Sequence, residues 1–280
     1  MERTMTNGGI MKQNPPFIAA HKYSITLLLI ILVGCPILGY ISIIYKFNTI
    51  KVKTLNNLPR HMLWAHGGYT QGFPYNSLES FDAARRMGYY GIELDIHFIG
   101  GKGFIVAHDL PAKITDRGDN LFLNKVLDRY GARFYYWLDF KNLDTRNAEK
   151  SGKLLSEYIA AYGLEGHVFV ESTNPGALRK LKSAAPRVNT IYWLRGHFEK
   201  RFAVFKAKFN TVISGADTVS LPGKYADRLF FKNFSHLNMA VFTVNDAGQI
   251  EYLFAKGARI ILTDLDMRAG YPDAYGTSLH

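Results

Sequence analysis

The apolar residues of this chain follow two patterns. From Tyr23 to Tyr45 they run almost without interruption. No charge occurs there, Ile, Leu, Val and Gly dominate, and Lys22 and Lys46 flank the run. Past residue 60 they gather into short runs rich in β-branched and aromatic side chains, beginning near Met62, Ile92, Phe134, Val168, Thr190, Thr218, Ala240 and Arg259. Stretches of helical period follow several of them, over residues 77–87, 147–162, 175–185, 198–209, 225–234 and 247–256. A further short strand, 104–107, follows the turn Gly100-Gly101-Lys102-Gly103 and reads as a hairpin partner of the second strand. Eight strand–helix units without a domain-scale linker predict an α/β chain folded as one (β/α)8 TIM barrel over residues 61–270. A doubly wound open sheet is the alternative, but no glycine-rich nucleotide-binding loop stands at a strand end to support it.

Capping signals agree with this layout. Asn76 or Ser77 can cap the helix that carries Phe81 and Ala84 inward, with Glu79 in its first turn. Asn174-Pro175 sets a cap and then proline at the first helical position. Asn245 or Asp246 can cap the helix that ends at Gly257.

The continuous run is long enough to cross a hydrocarbon core of about 30 Å as a helix. Gly34, Pro36 and Gly39 weaken a soluble helix but are tolerated in lipid. The expected organisation is a polar leader over 1–22, a transmembrane anchor over 23–45, a linker over 46–60, the barrel, and a tail over 271–280. That makes the chain a single-pass membrane protein. Lys46, Lys51, Lys53 and Arg60 outnumber Lys12 and Lys22 on the other flank, which leans toward a cytoplasmic barrel. Leu32-Val33-Gly34-Cys35 has the look of a lipoprotein processing site, but the apolar run continues past it to Tyr45.

Charge narrows the partners. Of 280 residues, 34 are Lys or Arg and 23 are Asp or Glu, a net charge of +11 that suits nucleic acid, an anionic membrane or a phosphate substrate. No recognised nucleic-acid module is present, so nucleic acid is set aside. The single cysteine, Cys35, precludes an intrachain disulfide. Phe198, Phe202, Phe205 and Phe209 recur at helical spacing among Lys200, Arg201, Lys206 and Lys208. The stripe is expected to pack inward as part of an outer barrel helix with a solvated basic face, with a membrane-surface helix as the alternative.

In such a barrel the C-terminal ends of the strands share one mouth, and polar residues there read as a site. The first strand ends at His66, and the second reads Gly91-Ile92-Glu93-Leu94-Asp95-Ile96-His97. The hairpin ends at His108-Asp109, and the third barrel strand at Asp139-Phe140-Lys141. Glu93 and Asp95, two apart on a strand, point to one face. Carboxylates that close repel, and a divalent cation or raised pKa values would relieve the repulsion. Asp139 could complete an all-oxygen site suited to Mg²⁺ or Ca²⁺ rather than Zn²⁺. His66 and His108 offer a base and an acid near neutral pH, and Lys141 a cation for a phosphate oxygen.

In order along the chain, these residues resemble the glycerophosphodiester phosphodiesterase family, within the barrel superfamily that includes phosphatidylinositol-specific phospholipase C. The likeness runs from about Leu63 to Met267. It comprises His66-Gly67-Gly68, Pro74-Tyr75-Asn76-Ser77 with Phe81, Glu93 with Asp95, and the segment from Gly100 to Asp109. It continues through Asp139-Phe140-Lys141, Ser172-Thr173-Asn174-Pro175 with Leu178, Thr243-Val244-Asn245-Asp246, and Gly257 to Asp264. The resemblance implies catalytic histidines His66 and His108, metal ligands Glu93, Asp95 and Asp139, and a phosphate contact from Lys141. Three departures mark a divergent branch. The family's Arg after the first His is Gly67, its Glu before Asn is Tyr75, and its third acidic ligand, a Glu, is Asp139. The expected activity is metal-dependent hydrolysis of glycerophosphodiesters or lysophospholipid-like lipids. The alternative is a catalytically degenerate, membrane-tethered barrel that binds anionic lipid headgroups.

Overall fold

A computed structural model describes residues 28, 30–51, 55, 58, 61–112, 114, 120–196 and 198–266. The leader over 1–22, the first residues of the expected anchor, His197 and the tail over 271–280 lie outside the described residues. The chain divides into two compact units between Tyr45 and Lys46. In the N-terminal segment a wide helical turn, Ile30–Gly34, runs into helix α1, Cys35–Asn48. Residues Ile31–Asn48 form one helix long and apolar enough to cross a membrane, with mean hydropathy 1.5.

The second unit is the barrel. Eight parallel strands close on themselves: β1 (Met62–Ala65), β2 (Gly91–Ile99), β4 (Tyr135–Phe140), β5 (Val168–Ser172), β6 (Asn189–Trp193), β7 (Thr218–Pro222), β8 (Met239–Phe242) and β9 (Ala258–Thr263). β1 pairs with both β9 and β2, so the described barrel has no open edge. β3 (Gly103–Val106) pairs antiparallel with the end of β2, as the hairpin reading expects.

Alternation along the strands separates two apolar layers. Met62, Trp64, Trp137, Phe169, Ile191, Ala240, Ile260 and Leu262 fill the barrel interior. Trp64 stands edge-on to Phe169 at 5.4 Å and to Trp137 at 6.3 Å between ring centres. Its neighbour in register is Gly91. A Cβ there would lie 2.4 Å from Trp64 Cδ2, so the ring occupies the place of a side chain. The alternate residues, Leu63, Ala65, Ile92, Leu94 and Leu138 among them, face outward under the helices.

Helices follow the strands: α2 (Leu78–Arg86), α3 (Leu123–Tyr130), α4 (Ala148–Tyr162), α5 (Pro175–Ala184), α6 (Arg201–Ser214), α7 (Arg228–Phe234) and α8 (Ala247–Ala255). Ser77 caps α2 and shares a capping box with Ser80. Asn174 caps α5 with Pro175 first in the helix, and Asp246 caps α8. Helix α3 has no counterpart in the sequence reading. It carries Leu123, Val126, Leu127 and Tyr130 inward at helical spacing, but Phe122 before it makes no side-chain cap.

Helix α6 corrects an expectation. It starts at Arg201 rather than 198 and runs to Ser214, and Phe198 sits before it, buried against Phe230 and Phe234. The buried residues of α6 are Ala207, Thr211 and Ser214, whereas Phe202 and Phe209 are exposed. The helix packs against α5. Small side chains allow that approach, and the Phe-bearing arc is turned outward.

Candidate active site

β1 ends one residue before His66, which continues the inward parity of Met62 and Trp64. The next two residues, Gly67 and Gly68, both take positive φ, at 63° and 82°. Their turn is tied to the start of α2: the Asn76 N–H donates to the Gly67 carbonyl at 3.1 Å and the Ser80 hydroxyl donates to it at 3.0 Å. Gly67 N–H in turn donates to Glu93 Oε2 at 2.9 Å. The His66 loop is thereby fixed to the carboxylate of the neighbouring strand.

Asn76 has a left-handed backbone, with φ of 56°. Its amide brackets Asp95 from both sides: Nδ2 donates to Asp95 Oδ2 at 2.8 Å, and the Asp95 N–H donates to Asn76 Oδ1 at 3.1 Å. Sequence reasoning offered Asn76 as a possible helix cap. In the structure Ser77 caps, and Asn76 orients Asp95.

Barrel register gathers the carboxylates. Asp95 lies beside Asp139, and Asp139 beside Glu171, in one row across β2, β4 and β5. Glu93 is one inward position earlier on β2. Ligand atoms of Glu93, Asp95 and Asp139 all lie within 4.8 Å of one another. Burial, then Asp95 and Asp139, push the Glu93 carboxyl well above its ordinary range. Burial also raises Asp139, against the opposing effect of Lys141. Glu171 is pushed up to about 8 by burial and by Asp139, although Ser220 and Trp137 both donate hydrogen bonds to it.

Lys141 answers this excess of negative charge. Its Nζ is 2.6 Å from Asp95 Oδ1 and 2.6 Å from Asp139 Oδ2. Burial works against the ammonium, but the two carboxylates outweigh it and raise its pKa above the ordinary lysine value. All-oxygen donors from adjacent strands, two of them disfavoured as free anions, fit a hard divalent cation.

His66 is held at one nitrogen. Nδ1 lies 3.1 Å from Asp264 Oδ1 and 3.3 Å from Thr243 Oγ1, and the Tyr75 hydroxyl makes a short contact with it. Asn245 fixes Asp264: its Nδ2 donates to Asp264 Oδ2 at 2.8 Å, and the Asp264 N–H donates to its Oδ1 at 2.8 Å. Asp264 is partly buried, which works against its charge, but the bonds from His66 and Asn245 hold its carboxyl below the ordinary range. An ionised Asp264 only accepts, so its contact with His66 calls for a proton on Nδ1.

Tyr75 and Gly67 are sterically linked. A Cβ at Gly67 would lie 2.0 Å from Cδ1 and Cε1 of the Tyr75 ring. Burial, then Asp264, Glu93 and Asp95, raise the Tyr75 phenol far above its ordinary value, so it stays protonated.

His66, Tyr75, Glu93, Asp95, His108, Asp139, Lys141 and Glu171 line one cavity of about 550 Å³, with Trp137, Trp193 and Phe242 among its apolar walls. All six residues singled out from the sequence for chemistry are therefore brought together. His108 is at the exposed rim, with its Nδ1 3.2 Å from Asp109 Oδ1. His97 Nε2 lies 3.2 Å from the His108 carbonyl and so braces the rim from below. Trp193 lines the cavity, whereas Tyr192 packs away from it and accepts a bond from Asn210. Sequence reasoning passed over Glu171. Its only local signal is an acidic residue closing the apolar run Val168-Phe169-Val170.

No known sequence family matches the chain, and no curated protein matches it in sequence. Solved structures do resemble it. A glycerophosphodiester phosphodiesterase from Parabacteroides distasonis superposes with a TM-score of 0.55 at 20% identity, covering 76% of this chain and 96% of its own. One from Thermotoga maritima gives 0.56 at 17%, covering 74% and 95%. A phosphodiesterase from Oleispira antarctica, bound to its product sn-glycerol-3-phosphate, gives 0.54 at 16%, covering 75% and 95%. At these identities the likeness establishes the shared barrel.

Proposed function

We propose that the chain is a metal-dependent phosphodiester hydrolase, similar to the glycerophosphodiester phosphodiesterases, acting on glycerophosphodiesters or lysophospholipid-like lipids. The observation that carries this reading is the convergence of Glu93, Asp95 and Asp139 within 4.8 Å at the mouth of the barrel. His66 and His108 line the same cavity. A barrel of this kind holds sn-glycerol-3-phosphate as product in the Oleispira antarctica phosphodiesterase.

Glu93, Asp95 and Asp139 would hold the cation, Mg²⁺ or Ca²⁺. Once bound, it supplies charge stabilisation to the phosphoryl oxygens. His66, fixed through Nδ1, offers Nε2 to take the proton of the attacking hydroxyl, from water or from a neighbouring group of the substrate. His108 at the rim gives a proton to the departing alcohol. Lys141 contributes its positive charge to a phosphate oxygen. Asn76 holds Asp95, and Asp264 with Asn245 holds His66. The helix over Ile31–Asn48 serves as the membrane anchor, keeping the barrel where lipid-derived diesters arise.

The test is metal-dependent release of an alcohol from glycerophosphocholine, lysophospholipids and bis(p-nitrophenyl) phosphate. Turnover of one class, abolished by chelation and by the His66→Ala, His108→Ala double variant, is expected. Equal rates for that variant and the wild type would sink the enzyme reading. One observation favours the alternative, a non-catalytic barrel that binds anionic headgroups: Lys141 already spans two of the three carboxylates. That reading gives binding without turnover across the whole panel.

A further inference from the structure

Helix α6 turns its phenylalanines away from its buried side. Ala207, Thr211 and Ser214 are its buried side. At 3.6 residues per turn, Phe202, Phe205, Phe209 and Ile213 share the opposite arc. Phe202 is 77% exposed and Phe209 39% exposed. A single exposed apolar side chain is ordinary, but three phenylalanines on one arc of a helix, over about two turns, mark an interaction surface. Basic residues border both edges of the arc, Arg201 and Lys208 on one side and Lys206 on the other, and α6 contains no acidic residue. Lys208 also lies 5.0 Å over the Phe47 ring.

We propose that α6 is a membrane-interface helix, whose Phe202–Phe209 arc enters the boundary between headgroups and acyl chains of an anionic lipid surface. Arg201 and Lys206 then meet the lipid phosphates. Charge complementarity selects this occupant. A second copy would bring two basic-rimmed faces together, and their like charges oppose that pairing. A lipid surface takes phenylalanine on the apolar side and lysine or arginine at the headgroups at once, and the net charge of +11 favours it further. The barrel therefore has a lipid contact of its own, independent of any anchoring by the N-terminal helix.

The test uses the full chain with Cys35→Ser, carrying one cysteine labelled with an environment-sensitive nitrobenzoxadiazole dye. The cysteine is placed at Phe202 or, as a control, at Lys150 on the exposed side of α4. The protein is reconstituted into phosphatidylcholine vesicles with or without one-third phosphatidylglycerol. With anionic lipid, the label at 202 should shift to the blue, brighten severalfold and be quenched by spin-labelled acyl chains. The label at 150 should stay accessible to aqueous iodide in both lipids. Arg201→Glu with Lys206→Glu should return the 202 label to water. Equal iodide access for both labels on anionic vesicles would overturn the proposal. So would shielding at 202 that rises with protein density and ignores lipid charge, which would point to a second copy. The readout needs no turnover, so it stands apart from the hydrolase reading.

Discussion

Replacing Gly67 by Ala puts one methyl group in contact with the Tyr75 ring. The added Cβ would begin 2.0 Å from two ring carbons, against about 3.5–4 Å for an ordinary carbon contact. The ring must therefore retreat by roughly 1.5 Å or more. A backbone φ of 63° adds strain for any residue with a Cβ, about 1–2 kcal/mol, and overpacking costs about 1–3 kcal/mol where the neighbour cannot move. Tyr75 is 42% exposed, so its ring can swing outward. The loss then falls chiefly on the contact between its hydroxyl and His66 Nδ1. Gly67→Ala should lower stability by about 1–3 kcal/mol, a Tm shift of about 2–4 °C per kcal/mol for a domain of this size. It should lower kcat/KM further than stability alone explains. In a Tyr75→Ala background the obstacle is gone and only the φ strain remains, so the two substitutions should couple by about 1 kcal/mol, the steric share left once the common strain is removed. Denaturant unfolding and kcat/KM on bis(p-nitrophenyl) phosphate for the four proteins close the cycle. If Gly67→Ala costs the same with and without the ring, the steric account is wrong.

Three further outcomes follow from the same geometry. Lys141→Met frees the carboxylates from a competing ammonium. Calorimetry should show Mg²⁺ or Ca²⁺ binding tighter by about tenfold or more while kcat/KM falls; weaker binding would mean that Lys141 supports the cluster instead. Glu171 has a folded pKa raised to about 8, so its contribution to stability is full below the unfolded value, near 4.5, and is lost as pH rises through about 8. In chelator, Glu171→Gln should therefore flatten the fall in Tm between pH 5 and 9, and an unchanged slope would contradict the assignment. Gly91→Ala drives a Cβ to 2.4 Å from Trp64 Cδ2 in a fully buried site; it should destabilise by about 1–3 kcal/mol, whereas Gly88→Ala, with open space around its Cβ position, should show only the strain of its positive φ.

Local pattern was enough for much of this. Strand periodicity places Glu93 and Asp95 on one face and carries the inward parity of Met62 and Trp64 on to His66, because side chains alternate whatever the strand packs against. The caps at Ser77, Asn174 and Asp246 are equally local, since each bonds within its own first turn. Helix α3 was missed for the same reason inverted: it has the periodicity but no capping residue to announce it.

What the tertiary structure alone decided depends on register and on neighbours distant in sequence. Only the closed barrel sets Asp95, Asp139 and Glu171 in one row and swings Lys141 between two of them. Only the closure of β9 against β1 brings Asp264, clamped by Asn245, to His66. The paired Gly67 and Tyr75 are eight residues apart in sequence, but their mutual exclusion exists only in space. Periodicity grouped the phenylalanines of helix α6 on one arc but could not say which way the arc faces. That was settled by α5, against which the helix packs. The side chains α6 buries are Ala207, Thr211 and Ser214, small enough for a close approach, and the phenylalanines are left on the outer face.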